Sequence, residues 1–155
     1  MSATELSERL AGRSIAVAES LTAGNLQALI ASVSGASRFF LGGVTAYNID
    51  QKVRLLGVDR AVAEPVNCVS ESVVLQMAAG IRHRTGADVG VATTGYAEAW
   101  GEIAEPMAWI AVETIAGAVT ARLDMPGLDR AGVQRHVTQA ALRLVIDVLE
   151  RGQQN

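Results

Sequence analysis

The sequence contains very few of the residues that build disulfides, metal sites and aromatic ligand cages. Its 155 residues include one cysteine, two histidines and two each of tryptophan, tyrosine and phenylalanine. A lone Cys68 excludes an internal disulfide. His83 and His136 stand apart on predicted helices, and no group of metal-ligating residues has the spacing of a metal site. We therefore predict a protein that has no disulfide and binds no metal.

Positive charge and long apolar runs are also scarce. The net charge is −3, which argues against a protein that binds nucleic acid through phosphate contacts. No apolar run approaches the roughly 20 residues of a membrane span. The N-terminal segment MSATELSERLAGR carries acidic residues and lacks the apolar core of a signal peptide. We expect a cytoplasmic protein that has neither a nucleic-acid nor a membrane partner.

The remaining composition is that of an ordinary globular domain. Half of the residues are apolar and 19% are charged, so the chain can bury a substantial core. Its length suits one domain, and no linker or internal repeat divides it, so we treat 1–155 as a single domain. We predict an α/β fold, a three-layer α/β/α sandwich with a mixed, mostly parallel five-stranded sheet that includes one β-hairpin.

The element pattern supports that fold. Apolar runs predict strands at 15–18, 39–47 and 88–94, and alternation around Gly117 predicts a hairpin of 106–116 and 118–125. Helical spacing predicts about five helices, at 4–11, after Gly24, from Asn48 to Gly57, from Ser70 to Gly86 and from Asp129 onward. Loops are expected at 64–67 and 95–105, and a frayed tail at 152–155. The glycines at 42–43 are expected at the start of the second strand or in a bulge.

The segment from Ser14 to Ile30 reads as strand, tight turn and helix, with Ser20 in the turn. In an open α/β sheet such a turn lies at the carboxyl end of a strand, where ligands usually bind. The helix N-terminus would offer free N–H groups to an anion or a developing oxyanion. Thr22 is expected to cap the helix with its hydroxyl. The alternative interpretation is that Ser20 and Thr22 do nothing more than cap it.

Lys52 is the only lysine, while the other twelve basic residues are arginine. Lysine can lose its proton near neutral pH if it is desolvated, whereas arginine cannot. Tyr47 lies five residues earlier, at the end of the second predicted strand. If one pocket holds Ser20, Lys52 and Tyr47, they supply a nucleophile, its base and an orienting phenol. The alternative is that Lys52 is an ordinary surface lysine.

Four segments together resemble one known family. They are AESLTAG at 18–24, GGVTAYNIDQKVRLLGV at 42–58, VSE at 69–71 and DRAGVQRHVTQAAL at 129–142. The first resembles the A-E-S-C-T-G-G signature of the CinA C-terminal domain family, the competence/damage-inducible proteins. The others resemble its tyrosine–lysine segment, its V-S-E and its final D-R-x-x-V-R helix. The match covers nearly the whole chain in the same order.

The resemblance implies an activity, because active members of the family are nicotinamide-nucleotide amidohydrolases. They convert the carboxamide of nicotinamide mononucleotide to a carboxylate and ammonia. By this likeness Ser20 is the nucleophile, Lys52 the general base and Tyr47 the neighbouring tyrosine. Backbone groups of the turn, at Leu21, Thr22, Ala23 and Gly24, would bind the substrate. We expect a small nucleotide or amide substrate, no cofactor, and a homo-oligomer.

The sequence also departs from the family pattern. Leu21 and Ala23 replace a cysteine and a glycine of the signature. The segment TTGYAEAW at 93–100 stands where active members carry S-G-I-A-G-P, so Thr94, Gly95 and Tyr96 would form a rebuilt substrate wall. Arg130 matches the arginine of the final helix and is expected to bind a phosphate, although it could be a plain surface arginine. The alternatives to an amidohydrolase are a catalytically silent nucleotide-binding module and a structural or interaction protein that keeps the fold.

Overall fold

The computed structural model describes residues 2–153, in which a five-stranded sheet is covered by helices on both faces. The strands are β1 (Ile15–Glu19), β2 (Phe40–Thr45), β3 (Val89–Tyr96), β4 (Met107–Thr114) and β5 (Gly117–Asp124). The α-helices are α1 (Ala3–Leu10), α2 (Asn25–Ala31), α3 (Ile49–Leu56), α4 (Arg60–Ala63), α5 (Glu71–Thr85) and α6 (Arg130–Gln153). Short 3₁₀ turns occupy Ala36–Arg38 and Glu64–Val66.

The sheet has the order β2-β1-β3-β4-β5 and is mixed, as predicted. β1 pairs in parallel with β2 and β3, whereas β3–β4 and β4–β5 are antiparallel pairs. Four strands therefore run in one direction and only β4 opposes them. β1 lies at the point where the chain first moves to one side, to β2, and then crosses back to β3. A crevice opens at such a point at the carboxyl ends of the strands, and this is where α/β folds usually bind ligands.

Each face of the sheet has its own apolar core, which confirms the three-layer sandwich. On one face, Ile15 and Val17 of β1 pack with α1, α2 and α6. On the other, Ala16 and Ala18 pack with α3 and α5. Every residue of β1 is buried, as expected of a central strand covered on both sides.

Close approach of helix α5 to helix α3 depends on a glycine. A Cβ atom built on Gly80 would lie 2.0 Å from the carbonyl oxygen of Leu56, at the end of α3. No side chain fits at that separation, so Gly80 lets α3 pack deeply against α5. This packing fixes the helix that carries Lys52.

Several expected boundaries need correction. The segment at 64–67, predicted as a loop, continues α4 as a 3₁₀ turn. β3 extends through Gly95 and Tyr96, which were assigned to a loop, because both pair with β4. The expected frayed tail is helical through Gln153, and Gln154 and Asn155 lie outside the described residues. β2 does contain an irregularity, but at Leu41: Ile15 pairs with Phe40 and Ala16 with Gly42, so that Gly42 and Gly43 are both paired with β1.

No helix within residues 2–153 is long and apolar enough to cross a bilayer.

Candidate active site

Ser20 lies directly after β1, in the turn that leads to α2, and only 7% of its surface is exposed. Its backbone N–H donates to Thr93 Oγ1 at 3.3 Å, and Thr93 Oγ1 also lies 2.9 Å from Thr22 Oγ1. On the other side, Gln134 Nε2 of α6 donates to the carbonyl oxygen of Leu21 at 2.9 Å. The turn is thus tied to the neighbouring strand and to the last helix, and these contacts fix the position of Ser20.

Glu19 caps helix α2, and the prediction that Thr22 does so is wrong. Glu19 is fully buried, and its two carboxylate oxygens accept the N–H groups of Leu26 at 2.8 Å and Gln27 at 3.0 Å. Gly24 is the N-terminal cap residue, in a left-handed conformation with no side-chain hydrogen bond. A carboxylate at a helix N-terminus is stabilised by the unpaired N–H groups and the helix dipole. The Thr22 hydroxyl instead contacts Thr93.

Lys52 is buried against Ser20, as predicted. The Asn48 side chain accepts the N–H of Gln51 at 3.0 Å and begins α3, so that Lys52 faces the sheet in the first helical turn. Only 2% of Lys52 is exposed. Its Nζ lies 3.0 Å from Ser20 Oγ and 2.8 Å from the carbonyl oxygen of Ala46. The serine hydroxyl and the lysine amine are therefore within hydrogen-bond reach of each other, as a nucleophile and its base must be.

The surroundings of Lys52 favour its neutral form. Burial lowers the pKa of Lys52, and the opposing effect of the Cys68 sulfur is smaller. None of the ion pairs among residues 2–153 includes Lys52. A desolvated amine that lacks a carboxylate partner loses its proton more easily than an exposed lysine. Burial also raises the pKa of the Cys68 thiol, so Cys68 is not an activated nucleophile.

A neutral Lys52 can hydrogen-bond both neighbours in the sense that catalysis requires. An amine has two N–H donors and one lone pair. The Ala46 carbonyl oxygen has no proton and must accept one N–H, at 2.8 Å. The lone pair is then free to accept the hydroxyl proton of Ser20, 3.0 Å away. The Ala46 carbonyl thus orients the base toward the nucleophile.

Tyr47 lines the same cavity but does not orient the base. Its hydroxyl accepts a hydrogen bond from Arg130 Nη2, and the side chain is 53% exposed. Its hydroxyl makes no hydrogen bond to Ser20 or Lys52 in the described chain. Tyr47 is therefore a residue of the cavity entrance, and the expected phenol contact with the catalytic pair is absent.

Ser20 and Lys52 open into a cavity of about 530 Å³. Of the predicted substrate-binding residues, it is lined by Leu21, Thr94, Gly95, Tyr96 and Arg130. Thr22, Ala23 and Gly24 do not line it. Thr22 is turned into the core toward Thr93, while Ala23 and Gly24 lie on the outer side of the turn, where α2 begins.

The turn after Ser20 can still supply an oxyanion hole, although not all of its expected backbone N–H groups are available. The N–H of Ala23 donates to the carbonyl oxygen of Ser20 at 3.0 Å, so that amide is already used. The N–H groups of Leu21 and Thr22 have no acceptor among residues 2–153. Of these two residues only Leu21 lines the cavity, and its N–H immediately follows Ser20, where a donor to a tetrahedral intermediate is needed.

The predicted wall at 93–100 is present, with Glu98 and Trp100 among its lining residues, whereas the sequence analysis did not identify Cys68 as part of the cavity. Glu98 Oε1 accepts from Arg130 Nη1 at 2.8 Å. Trp100 stacks on Tyr96, with ring centroids 5.9 Å apart and planes at 17°. Cys68 lies on the floor beside Lys52, and its carbonyl oxygen accepts the Thr94 hydroxyl at 2.7 Å. The unusual segment at 93–100 gave the only signal for this wall, and it did not reveal which groups would meet.

Among residues 2–153, no group of three histidine, cysteine, aspartate or glutamate side chains is placed to hold a metal ion.

Comparisons with known proteins agree on one family. The family model of the CinA C-terminal domain matches residues 2–149. A CinA-like protein of Mycolicibacterium vanbaalenii is 41% identical over 152 residues, which is 96% of this chain and 36% of the relative. The chain therefore spans about a third of that relative's length.

Solved structures agree with the sequence comparison. A CinA superfamily protein from Klebsiella pneumoniae superposes with a TM-score of 0.89 at 28% identity, covering 96% of each chain. One from Escherichia coli gives a TM-score of 0.88 at 28% identity, covering 94% of this chain and 87% of its own. With its fold, its turn after β1 and its lysine all in place, the chain belongs to the CinA C-terminal domain family.

Proposed function

We propose that this chain is an amidohydrolase that converts a small carboxamide, nicotinamide mononucleotide or a related amide, to the carboxylate and ammonia. The observation that carries the proposal is the 3.0 Å contact between Ser20 Oγ and a buried Lys52 Nζ at the edge of an open cavity. Few structural roles need the only lysine of a chain to be buried beside a serine, since burying an amine is costly.

In the first half-reaction Lys52 accepts the hydroxyl proton as Ser20 Oγ attacks the amide carbon. The N–H of Leu21, which lines the cavity, stabilises the oxyanion that forms. Lys52 then returns the proton to the amide nitrogen, the C–N bond breaks, and ammonia leaves. The acyl group remains on Ser20 as an ester.

In the second half-reaction water replaces ammonia. Lys52 accepts a proton from the water as the water oxygen attacks the ester carbon, and the N–H of Leu21 stabilises the second tetrahedral intermediate. When the C–O bond breaks, Lys52 returns the proton to Ser20 Oγ and the carboxylic acid is released, which ionises at neutral pH. The net reaction is amide plus water to carboxylate plus ammonium.

Ammonia release from nicotinamide mononucleotide and other planar carboxamides tests the proposal. We expect release by the wild-type chain and none by Ser20→Ala. Ser72→Ala is the matched control, because Ser72 is exposed on α5 and does not line the cavity. If the wild-type chain hydrolyses no carboxamide, or if Ser20→Ala retains activity, the proposal is wrong.

A nucleotide-binding module without turnover is the second candidate, and the rebuilt wall favours it. Tyr96, Glu98 and Trp100 give the cavity an aromatic and acidic face unlike the glycine-rich family pattern. A silent module would show a ligand-induced rise in melting temperature without ammonia release, and Ser20→Ala would leave that shift unchanged.

A further inference from the structure

Glu98 is a specificity residue: we infer that it occupies Arg130 and thereby makes the cavity select an unphosphorylated, cationic aromatic carboxamide over its phosphorylated counterpart. The inference rests on the proposed amidohydrolase function and concerns which amide the site accepts. Its ligand class is a pyridinium ring that bears a carboxamide, with or without a neutral sugar.

Both terminal nitrogens of Arg130 are already in use. Nη1 donates to Glu98 Oε1 at 2.8 Å, and Nη2 donates to the Tyr47 hydroxyl. A phosphate binds arginine best through these same two nitrogens, which form a fork that matches two phosphate oxygens. A phosphorylated ligand would therefore compete with Glu98 and Tyr47 for these two nitrogens.

The charges of the cavity also disfavour a phosphate. Its acidic and basic lining residues are Lys52, Glu64, Glu98 and Arg130. When Lys52 is neutral, as its role as base requires, one arginine faces two carboxylates. A dianionic phosphate at this entrance would meet like charge from Glu98, whereas a cationic ring would not.

The aromatic pair supplies a surface for such a ring. Tyr96 and Trp100 both line the cavity, as does Glu98, and the two rings are stacked with near-parallel planes. A pyridinium ring placed against an aromatic face is attracted by stacking and by the cation–π interaction. The same wall therefore offers an aromatic face and a carboxylate to a positively charged ring.

The solvent exposure of the Arg130–Glu98 ion pair determines how Glu98 can influence ligand binding. The side chains of Arg130 and Glu98 are 47% and 66% exposed. Exposed ion pairs are weak and rearrange readily, so Glu98 does not lock Arg130 away. It disfavours the phosphate by competition and repulsion, and removing its charge should release the arginine.

The test compares two probes that differ only in the phosphate, nicotinamide mononucleotide and its dephosphorylated nucleoside. Affinities are measured by calorimetry on chains that carry Ser20→Ala, so that turnover does not interfere. We expect the nucleoside to bind at least tenfold more tightly than the nucleotide. Adding Glu98→Gln should shift this ratio at least tenfold toward the nucleotide. Glu102→Gln, on the same loop but outside the cavity lining, should leave the ratio unchanged.

The outcomes separate this inference from the proposed function. Tighter binding of the nucleotide by the Ser20→Ala chain, a ratio unmoved by Glu98→Gln, or no binding of either probe would overturn the specificity role of Glu98. Ammonia release by the wild-type chain is read separately. If binding follows the expected ratio while no amide is hydrolysed, the amidohydrolase function fails and the selection by Glu98 stands.

Discussion

Replacing Lys52 by methionine or arginine should remove catalysis while the fold is kept. Methionine keeps most of the apolar stem but has no lone pair of comparable basicity, and the guanidinium of arginine cannot accept the serine proton. A positioned general base typically contributes about 10²–10⁴-fold to a rate. At 1.36 kcal/mol per factor of ten, this corresponds to about 2.7–5.4 kcal/mol of transition-state stabilisation.

The assay is ammonia release under saturating substrate, with far-ultraviolet circular dichroism to confirm folding. Arg54→Met is the matched control, because Arg54 is exposed on the same helix as Lys52. Because Ser20 and Lys52 act as one unit at 3.0 Å, the double variant with Ser20→Ala should be no slower than Ser20→Ala alone. A folded Lys52→Arg chain that hydrolyses amide at near wild-type rate would refute the reasoning.

The burial of Lys52 should also make the free energy of unfolding depend on pH. Its pKa is lowered by burial in the folded state and is about 10.4 in the unfolded state. Between these two values the unfolded chain binds more protons, so the free energy of unfolding rises with pH in that window. Below the folded-state pKa the cost of burying the charge is present in full. Lys52→Met should abolish this rise in urea titrations, and an unchanged rise would show that Lys52 is not its source.

Three further predictions concern the supports of the site. The acid limb of kcat should rise with pH through a pKa below that of an ordinary lysine, since only neutral Lys52 accepts the proton; a rate that falls over this range would contradict the role of base. Glu19→Gln, which leaves only one carbonyl oxygen for two buried N–H groups, should lower the free energy of unfolding by about 1–3 kcal/mol in urea titrations, and a neutral effect would show that the cap is dispensable. Gly80→Ala should lower the free energy of unfolding by about 1–3 kcal/mol, because its added methyl group clashes with Leu56. The control Gly152→Ala, whose methyl group meets open space, should be nearly neutral. Equal effects of the two substitutions would argue against close packing of α3 on α5.

The sequence indicated Ser20 and Lys52 through the lone lysine and the family resemblance, and the structure shows why they meet: both follow strands that lie side by side. Ser20 follows β1 and Lys52 follows β2, and these strands are neighbours in the sheet. Local patterns of apolar runs, turn residues and caps were enough to place those strand ends. The burial of Lys52 also depends on helix α5, which comes later in the chain, so composition alone could not distinguish a buried lysine from a surface one.

The failures have a common physical cause, which is competition from partners distant in sequence. Thr22 has a cap residue's chemistry, but Glu19 reaches the same helix terminus from the strand and Thr93 takes the Thr22 hydroxyl from 71 residues away. The Tyr47 hydroxyl is held by Arg130, which is 83 residues later. A side chain with several possible partners binds the one that tertiary packing brings nearest. A single sequence does not show which distant residues the fold brings together.

The antiparallel pairing of Tyr96 with Met107 has a consequence for how relatives of this chain can diverge. The loop between these residues carries Glu98 and Trp100, and its two ends are fastened to each other by the sheet. Doubling the length of a loop with fixed ends costs only about 0.6 kcal/mol in closure entropy. The loop can therefore change in sequence and length without moving Ser20 or Lys52, which lie on β-α units earlier in the chain. Under the proposed function, such a change would alter which amide the cavity accepts and would leave the Ser20–Lys52 contact in place.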